Sequence, residues 1–479
     1  LATFLNDLGC QQAATEQQAD IIIINTCAVR EKAEQKVWSY LGRLQPMKLS
    51  RPYIKIGVIG CVASYKKQEI YNRFDYVSFV YGAREELPAL QEYLADLLTQ
   101  METTKQVFYG KENPGFTPEE KASLSSLILG QDRDVKCVVE KLRLNFSDNR
   151  SYPSIRPSSP KATTDTQGDR NLGAANFVIP AEAGIQVPSL NRSMINIMTG
   201  CNKYCTYCIV PFTRGRETSF AMSAIVERVR QDVAAGAKEI TLIGQNVNSY
   251  KDPETGALFP ELLRQVAQIP GNFWVRFMSP HPQDMTIDLF DVMAAHRHTV
   301  PAYLHFPLQS GSNRILTLMN RTYTIEAYLE KIGWIKDRLP DAFISTDLIV
   351  GFPGETEEDF WATMHAVETV QYDLIYSFIY SRRKYTKAWA MPDDCPYAVK
   401  QARLDVLQKR QIEIAAQRNA LLVDKMLICL VEKRLGRDKL LGRTEGNIRV
   451  VFDGTDDMIN SFVRLLIQSA GPAQMQAVY

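Results

Sequence analysis

Nowhere in the 479 residues does an apolar run approach the roughly 18–20 residues that span a bilayer. The most conspicuous run, Ile21 to Ile24, has strand length. No basic flank followed by an apolar stretch opens the chain, so no secretory signal is expected. No membrane partner is expected, and the location read from this is cytoplasmic. Net charge is also nearly absent: 55 Lys and Arg against 54 Asp and Glu leave +1. Any nucleic-acid contact must therefore come from a local patch. Histidine is scarce at five, and His281, His296, His298 and His305 have no zinc-finger spacing. Cysteine stops at nine, an odd count that argues against a disulfide framework.

What is present is ordinary in bulk and uneven in detail. Hydrophobic residues make up 45% and charged residues 23%, as in a soluble globular chain. The length implies two to four domains. The chain begins with Leu1 rather than Met, which reads as processing or a fragment. Residues 1–108 alternate helix and strand. Leu1 to Leu8 reads as a helix end capped by Gly9, and Asp20 to Asn25 as a buried strand. Helix is expected over Glu31 to Leu44 and Leu87 to Leu98, and strand over Ile54 to Ile59 and Tyr76 to Tyr81. This is an α/β domain with a parallel sheet.

Residues 109–192 break that rhythm. Ser151 to Arg170 is rich in Pro and Ser with Tyr152 as its one aromatic, so an insertion or partly disordered linker is expected. The βα rhythm returns over 193–419. Strands are expected at 194–198, 239–243, 273–278, 302–306, 343–350 and 373–380. Helices between them include 222–235, 284–295, 324–337 and 356–370. Six βα units suggest a partial (βα)6 barrel with sites at the C-terminal strand ends. A polar helix, Tyr397 to Gln417, follows. Residues 420–479 switch to short strands separated by Gly436, Gly446 and Gly454, the pattern of a small β-barrel.

The chemistry concentrates in Cys201-Asn-Lys-Tyr-Cys205-Thr-Tyr-Cys208, directly after a strand. Thiolates are soft anionic ligands suited to iron–sulfur clusters. Three of them hold three irons of a cubane and leave the fourth open to a chelating substrate. Zinc would more often bring two separated Cys pairs or a Cys/His set.

A C-x3-C-x2-C run after the first strand of a six-unit βα barrel resembles the radical S-adenosylmethionine enzymes. The likeness narrows further. Asn25-Thr-Cys27-Ala-Val-Arg-Glu-Lys-Ala-Glu34 and Gly60-Cys61-Val-Ala-Ser64 resemble the N-terminal domain of the methylthiotransferases. The segment from Gly200 to Glu217 resembles their cluster loop. Gly244-Gln-Asn-Val-Asn248, Leu308-Gln-Ser-Gly-Ser312 and Ser345 to Thr356 continue the likeness. Gly442-Arg-Thr-Glu-Gly-Asn447 is similar to the RNA-binding TRAM domain. The resemblance covers nearly all of 1–108 and 193–479. Its Val-Arg-Glu-Lys-Ala-Glu segment favours the branch that makes 2-methylthio-N6-dimethylallyladenosine in tRNA. The branches acting on threonylcarbamoyladenosine or on a ribosomal-protein aspartate, and an inactive truncated iron–sulfur RNA-binding protein, are the alternatives.

The resemblance implies that S-adenosylmethionine chelates the open iron and that electron transfer cleaves it to a 5′-deoxyadenosyl radical. It implies a second 4Fe–4S cluster on three cysteines of the first domain, two of which match Cys27 and Cys61. The alternative for these two is buried core cysteine. The first cysteine of that set has no counterpart here. Cys10 stands too close to Cys27 and at another place in the fold, and reads as a core or strand-edge cysteine. Truncation of a first strand and loop is the expected explanation, with sulfur insertion then impaired. Gly244, Gln245, Gln309, Ser310 and Asp347 fall at strand ends where the family meets S-adenosylmethionine; loop hydrogen bonding is the alternative. Arg214 and Arg216 suit a carboxylate or phosphate, or plain solvent. No general base is identified. The partners implied are tRNA and an electron donor such as flavodoxin or ferredoxin, and the chain is expected to be a monomer.

Two further segments stand out. Lys433, Arg434, Arg437, Lys439, Arg443 and Arg449 face only Asp438 and Glu445 in sequence, which suggests a phosphate-contacting ribbon or an exposed charged hairpin. Arg382-Arg-Lys-Tyr-Thr386 departs from the Pro- and Gly-containing version that the family carries after its last barrel strand. Cys137, Cys395 and Cys429 are lone cysteines read as structural.

Overall fold

The computed structural model describes residues 5, 10–13, 15–26, 31–83, 87–109, 136–141 and 192–479. The chain divides into two compact units, Leu1–Gly184 and Ile185–Tyr479. Most of the helix end expected over Leu1 to Leu8, its Gly9 cap, Cys27 and nearly all of 109–192 lie outside the described residues.

The first unit holds strands β1 (Gln11–Gln12), β2 (Ile21–Thr26), β3 (Lys55–Gly60), β4 (Phe79–Gly82) and β5 (Lys136–Lys141). They form one parallel sheet in the order β1-β5-β2-β3-β4. Ile21 to Ile24 are fully buried, as expected for a strand covered on both faces. Each such side chain contributes about 1.5–3 kcal/mol by leaving water. Helices Glu31–Ser50, Cys61–Arg73 and Leu87–Tyr109 accompany the sheet. The first runs past the expected end at Leu44 with Pro46 inside it. So near the C-terminal end a proline removes one hydrogen bond without ending the run. β5 lies within the segment expected to be a linker, yet it is hydrogen-bonded between β1 and β2. Its Lys-Cys-Val-Val-Glu-Lys sequence is too short to show a period.

The second unit continues with β6 (Arg192–Asn196), β7 (Met198–Thr199), β8 (Thr218–Ser219), β9 (Glu239–Ile243), β10 (Trp274–Phe277), β11 (Tyr303–His305), β12 (Phe343–Val350) and β13 (Leu374–Ile379). β10-β9-β6 and β11-β12-β13 are two parallel three-stranded sheets. They share one apolar core, in which Ile240, Leu242, Val275, Leu304 and Leu348 are fully buried. Helices Met222–Ala234, Ile287–Ala295, Ile325–Arg338 and Glu357–Val370 match the expected crossovers. Phe259–Ala267 is an additional one, and its Pro260 sits in the first turn, where proline starts helices rather than breaking them.

Five strands close the C-terminal barrel: β14 (Met426–Arg434), β15 (Lys439–Thr444), β16 (Arg449–Asp453), β17 (Phe462–Ala470) and β18 (Gln474–Val478), in the order β14-β15-β16-β18-β17. β18 buries only Met475 and Ala477, so its apolar alternation was too thin to read. This barrel packs on residues that begin the core strands. The Trp274 and Phe462 rings lie 4.7 Å apart. Arg276 donates to the carbonyls of Thr444 and Glu445 at 3.1 and 2.8 Å. A side chain at Gly446 would run into the Phe343 ring. The Tyr397–Ala420 helix joins the two parts, with Asn419 Nδ2 donating to the Gly471 carbonyl at 2.9 Å.

Candidate functional site

The loop after β6 carries Cys201, Cys205 and Cys208, each half-buried. β7 and β8 pair antiparallel and close its base. Gly200 opens it at φ +79°, and a Cβ there would meet the Arg216 carbonyl, so only glycine fits. Its N–H donates to Gln245 Oε1 at 2.7 Å, tying the loop to the end of β9. Cys201 N–H donates to the Gly215 carbonyl and Cys208 N–H to that of Cys205. Asn320 Nδ2 donates to the carbonyls of Lys203 and Tyr204. Thr206 N–H reaches the Met319 carbonyl, and the Thr206 carbonyl accepts from Ala388 N–H. Lys203 pairs with Asp284 at 2.7 Å. The loops after β6, β9, β10, β11 and β13 thus gather on one side, as a barrel mouth requires.

Among the described residues no three His, Cys, Asp or Glu side chains converge on a point that holds a single metal ion. A mononuclear zinc would draw its sulfurs to about 2.3 Å from one centre. A cubane instead takes each thiolate on its own iron. Three soft thiolates on one backbone-pinned loop are a donor set that fits an iron–sulfur cluster. Burial pushes the Cys201 thiol up to about 11 and the Cys208 thiol up to about 12. Iron binding would replace those protons.

Two residues that spacing did not reveal complete the surroundings. Arg321 is buried, and its guanidinium stands 3.4 Å from Cys205 Sγ. It also donates to the Tyr323 hydroxyl and the Pro307 carbonyl. Burial opposes its charge, yet Tyr323, Tyr207 and Cys205 hold it protonated. A cation there offsets negative charge gathered on the sulfurs. His281, after β10, is also buried. Its Nδ1 accepts from Gln283 N–H, which leaves the ring hydrogen on Nε2, and Nε2 has no partner among the described residues. Burial, then Arg321 and Lys203, drive the His281 imidazole down to about 2, so it is neutral. A buried N–H without an acceptor is a donor waiting for a ligand. Asn320-Arg321 lies far from the cysteines in sequence, and only the fold joins them.

Of the residues expected to meet S-adenosylmethionine, Gly244 and Gln245 follow β9 and Gln309 and Ser310 lie past β11, whereas Asp347 sits inside β12, paired with Tyr376 of β13. Gly244 follows β9, and a Cβ there would crowd Met198. Gln309 has φ +74° and bridges to Leu348. The Ser310 hydroxyl is fully buried between Thr363 Oγ1 and Ser312 N–H. It supports the turn. Asp347 Oδ2 lies 3.5 Å from His305 Nε2, and His305 Nδ1 meets Ser345 Oγ at 3.0 Å. Past β13, Tyr385 takes φ +72°, a conformation that costs a side-chain-bearing residue roughly 1–2 kcal/mol.

In the first unit Cys61 is buried at the start of the Cys61–Arg73 helix. Gly60 precedes it at φ +98°, against the Thr26 carbonyl. Thr26 and Gly60 are register partners, so β2 and β3 end side by side and Cys61 follows directly on β3. Cys27 itself lies outside the described residues. Cys10 is buried in the core with Leu5, Ile21 and Phe79.

The basic segment of the C-terminal barrel differs from a bare phosphate ribbon. Arg443 pairs with Glu239 at 2.7 Å and also with Glu432. Arg434 pairs with Asp456 at 2.6 Å and Lys439 with Asp453 at 2.8 Å. Half of the expected cations are thus engaged within the protein, because strand pairing brings acids that are remote in sequence. Lys433, Arg437 and Arg449 join no ion pair among the described residues.

The Radical SAM superfamily model matches residues 195–367, and the model described as Uncharacterized protein family UPF0004 matches residues 1–82. The tRNA-2-methylthio-N(6)-dimethylallyladenosine synthase of Chlorobium luteolum is 35% identical over 478 residues, covering 99% of this chain and 92% of that one. The protein of the same name from Pseudoalteromonas atlantica is 36% identical, covering 96% and 83%. Among solved structures, the cobalamin-dependent S-adenosylmethionine radical enzyme OxsB aligns at 12% identity with a TM-score of 0.44, covering 81% of this chain and 47% of that one.

Proposed function

We propose, from the premise that this chain belongs to the tRNA-2-methylthio-N(6)-dimethylallyladenosine synthase family within the radical SAM superfamily, that Cys201, Cys205 and Cys208 hold the catalytic 4Fe–4S cluster. The protein is a tRNA methylthiotransferase: it replaces the C2–H of N6-dimethylallyladenosine beside the anticodon by a methylthio group. When bound, the cluster and S-adenosylmethionine supply hydrogen abstraction from an unactivated carbon, which acid–base side chains cannot perform.

The chain's own residues place and shield that chemistry. Gln245 anchors the Gly200 end of the cysteine loop, and Asn320 and Met319 anchor its middle. Arg321 balances charge on Cys205. Gly244 keeps the end of β9 bare, and Gln309 past β11 and Asp347 within β12 present polar groups. His281 Nε2–H is a further donor toward the cofactor. Ser310 holds the Gln309 turn in place. No general base is required at the attacked carbon. Cys27 and Cys61 would supply two of the three cysteines of a second 4Fe–4S cluster, the group that would provide the sulfur, and the third cysteine has no counterpart in this sequence. Flavodoxin or ferredoxin supplies the electron, and the enzyme works as a cytoplasmic monomer. No described helix is long and apolar enough to cross a membrane.

The observation that carries this reading is the pinned three-cysteine loop with a buried arginine on Cys205. Anaerobic reconstitution tests it. About eight irons per chain are expected, about four for each cluster. Cys205→Ala should lose about four and form no 5′-deoxyadenosine under reduction. A wild-type protein that binds iron but cannot cleave S-adenosylmethionine refutes the reading.

A further inference from the structure

An aromatic pair lies open to solvent beside the cysteine loop. Phe212 sits on the short Val210–Arg214 helix that follows Cys208, and Tyr385 lies in the loop after β13. Their rings are parallel, with centroids 4.4 Å apart and an interplanar angle of 2°. They remain 39% and 50% exposed. Trp389, nearby in sequence, is 43% exposed. Arg382 lies over the Trp389 ring at 4.8 Å and donates to the Trp389 carbonyl through Nε at 2.7 Å, and Lys384 Nζ lies over the Tyr385 ring at 5.4 Å. Arg382, Lys384 and Lys387 are exposed, and none joins an ion pair among the described residues. The segment is fixed to the cysteine loop, since Ala388 N–H donates to the Thr206 carbonyl at 2.8 Å.

The fold holds Tyr385 in a left-handed conformation that glycine would adopt without strain, and then leaves its ring in water. A large ring is ordinarily buried for its hydrophobic gain. Exposed parallel rings bordered by cations that join no ion pair among the described residues suit a different ligand. Unpaired nucleobases stack on aromatic faces, and their phosphates pair with Lys and Arg. A double helix hides its base faces and cannot use such a platform. A protein partner would more often meet an apolar centre with few charges.

We propose that Phe212 and Tyr385, with Arg382, Lys384 and Lys387, form a stacking platform for an unpaired RNA base next to the target adenosine. The cations then hold the flanking phosphates. This inference rests on the tRNA reading of the cysteine loop and extends it to how the loop of the RNA is held.

The test uses the reconstituted holoenzyme and an anticodon stem-loop RNA carrying N6-dimethylallyladenosine. Tyr385→Gly removes the ring and relaxes the backbone, so folding is not threatened. Base–aromatic stacking is worth about 1–3 kcal/mol per base, so the variant should bind the RNA about 5- to 150-fold more weakly. Tyr385→Phe should bind as the wild type does. In a series of RNAs with one abasic loop nucleotide each, one position should weaken wild-type binding and have no further effect on Tyr385→Gly. Unchanged affinity in Tyr385→Gly, or additive losses at every abasic position, overturns the proposal. A rate lost only with flavodoxin as reductant and not with dithionite, at unchanged RNA affinity, assigns the surface to the electron donor and also overturns it. An RNA that the wild type neither binds nor modifies refutes the tRNA reading itself, and the platform with it.

Discussion

Glu239 should be the costliest single charge to remove from the second unit. It begins β9, is buried, and faces Arg276, Arg443 and Arg192 at 2.9, 2.7 and 3.4 Å. Burial alone would raise its carboxyl, yet the three guanidiniums hold it at about 2, against 4.5 for an ordinary glutamate. That difference favours the charged form by about 3 kcal/mol. Breaking a buried pair from one side typically costs about 3–5 kcal/mol, because the partners stay buried without their counter-charge. Glu432 remains near Arg443 and Arg192 in the variant and moderates the loss. Glu239→Gln should therefore lose about 3 kcal/mol at pH 7, or roughly 5 °C in the thermal midpoint of the second unit. A carboxyl depressed in the folded state stabilises fully above its unfolded value and loses that contribution as pH falls through the folded value. The gap between wild type and Glu239→Gln should accordingly close between pH 4.5 and about 2. Thermal unfolding followed by circular dichroism measures both effects. A loss below about 1 kcal/mol at pH 7, or a gap that does not narrow in acid, refutes the argument that this cluster fastens the C-terminal barrel to the core.

Two shorter predictions concern the mouth. Gly200→Ala places a side chain at φ +79° against the Arg216 carbonyl; the backbone conformation alone costs roughly 1–2 kcal/mol, and iron content after reconstitution should fall by about the four irons of one cluster while the fold persists by circular dichroism. His281 is held at about 2, below its unfolded value of 6.5, so the unfolded chain takes up protons first as pH drops. Stability should then fall by about 2 kcal/mol between pH 6.5 and 5 on this account, and His281→Gln should flatten that part of a urea-midpoint profile.

Regular patterns were legible before the fold was seen. Ile21 to Ile24, the six core strands and the cysteine spacing each announce themselves within a few residues, because burial on a strand or ligation in a loop is a local demand. Long-range pairing was not legible. Arg443 looked like an RNA contact until β15 was set against the start of β9, where Glu239 neutralises it. Arg321 reaches Cys205 only because the loop after β11 folds over the loop after β6. Ser310 stood at the right strand end, but its hydroxyl is taken by Thr363 and Ser312. β5 shows the same limit in the first unit: six residues gain a place between β1 and β2 from their neighbours, not from their own periodicity.

Nucleoside mass spectrometry of tRNA tests the central claim most directly. Cells lacking the gene for this chain should accumulate N6-dimethylallyladenosine and lose its 2-methylthio form. Wild-type complementation should restore that form, and the Cys205→Ala variant should not. Unchanged 2-methylthio-adenosines in cells without the gene, or full restoration by Cys205→Ala, would contradict the account.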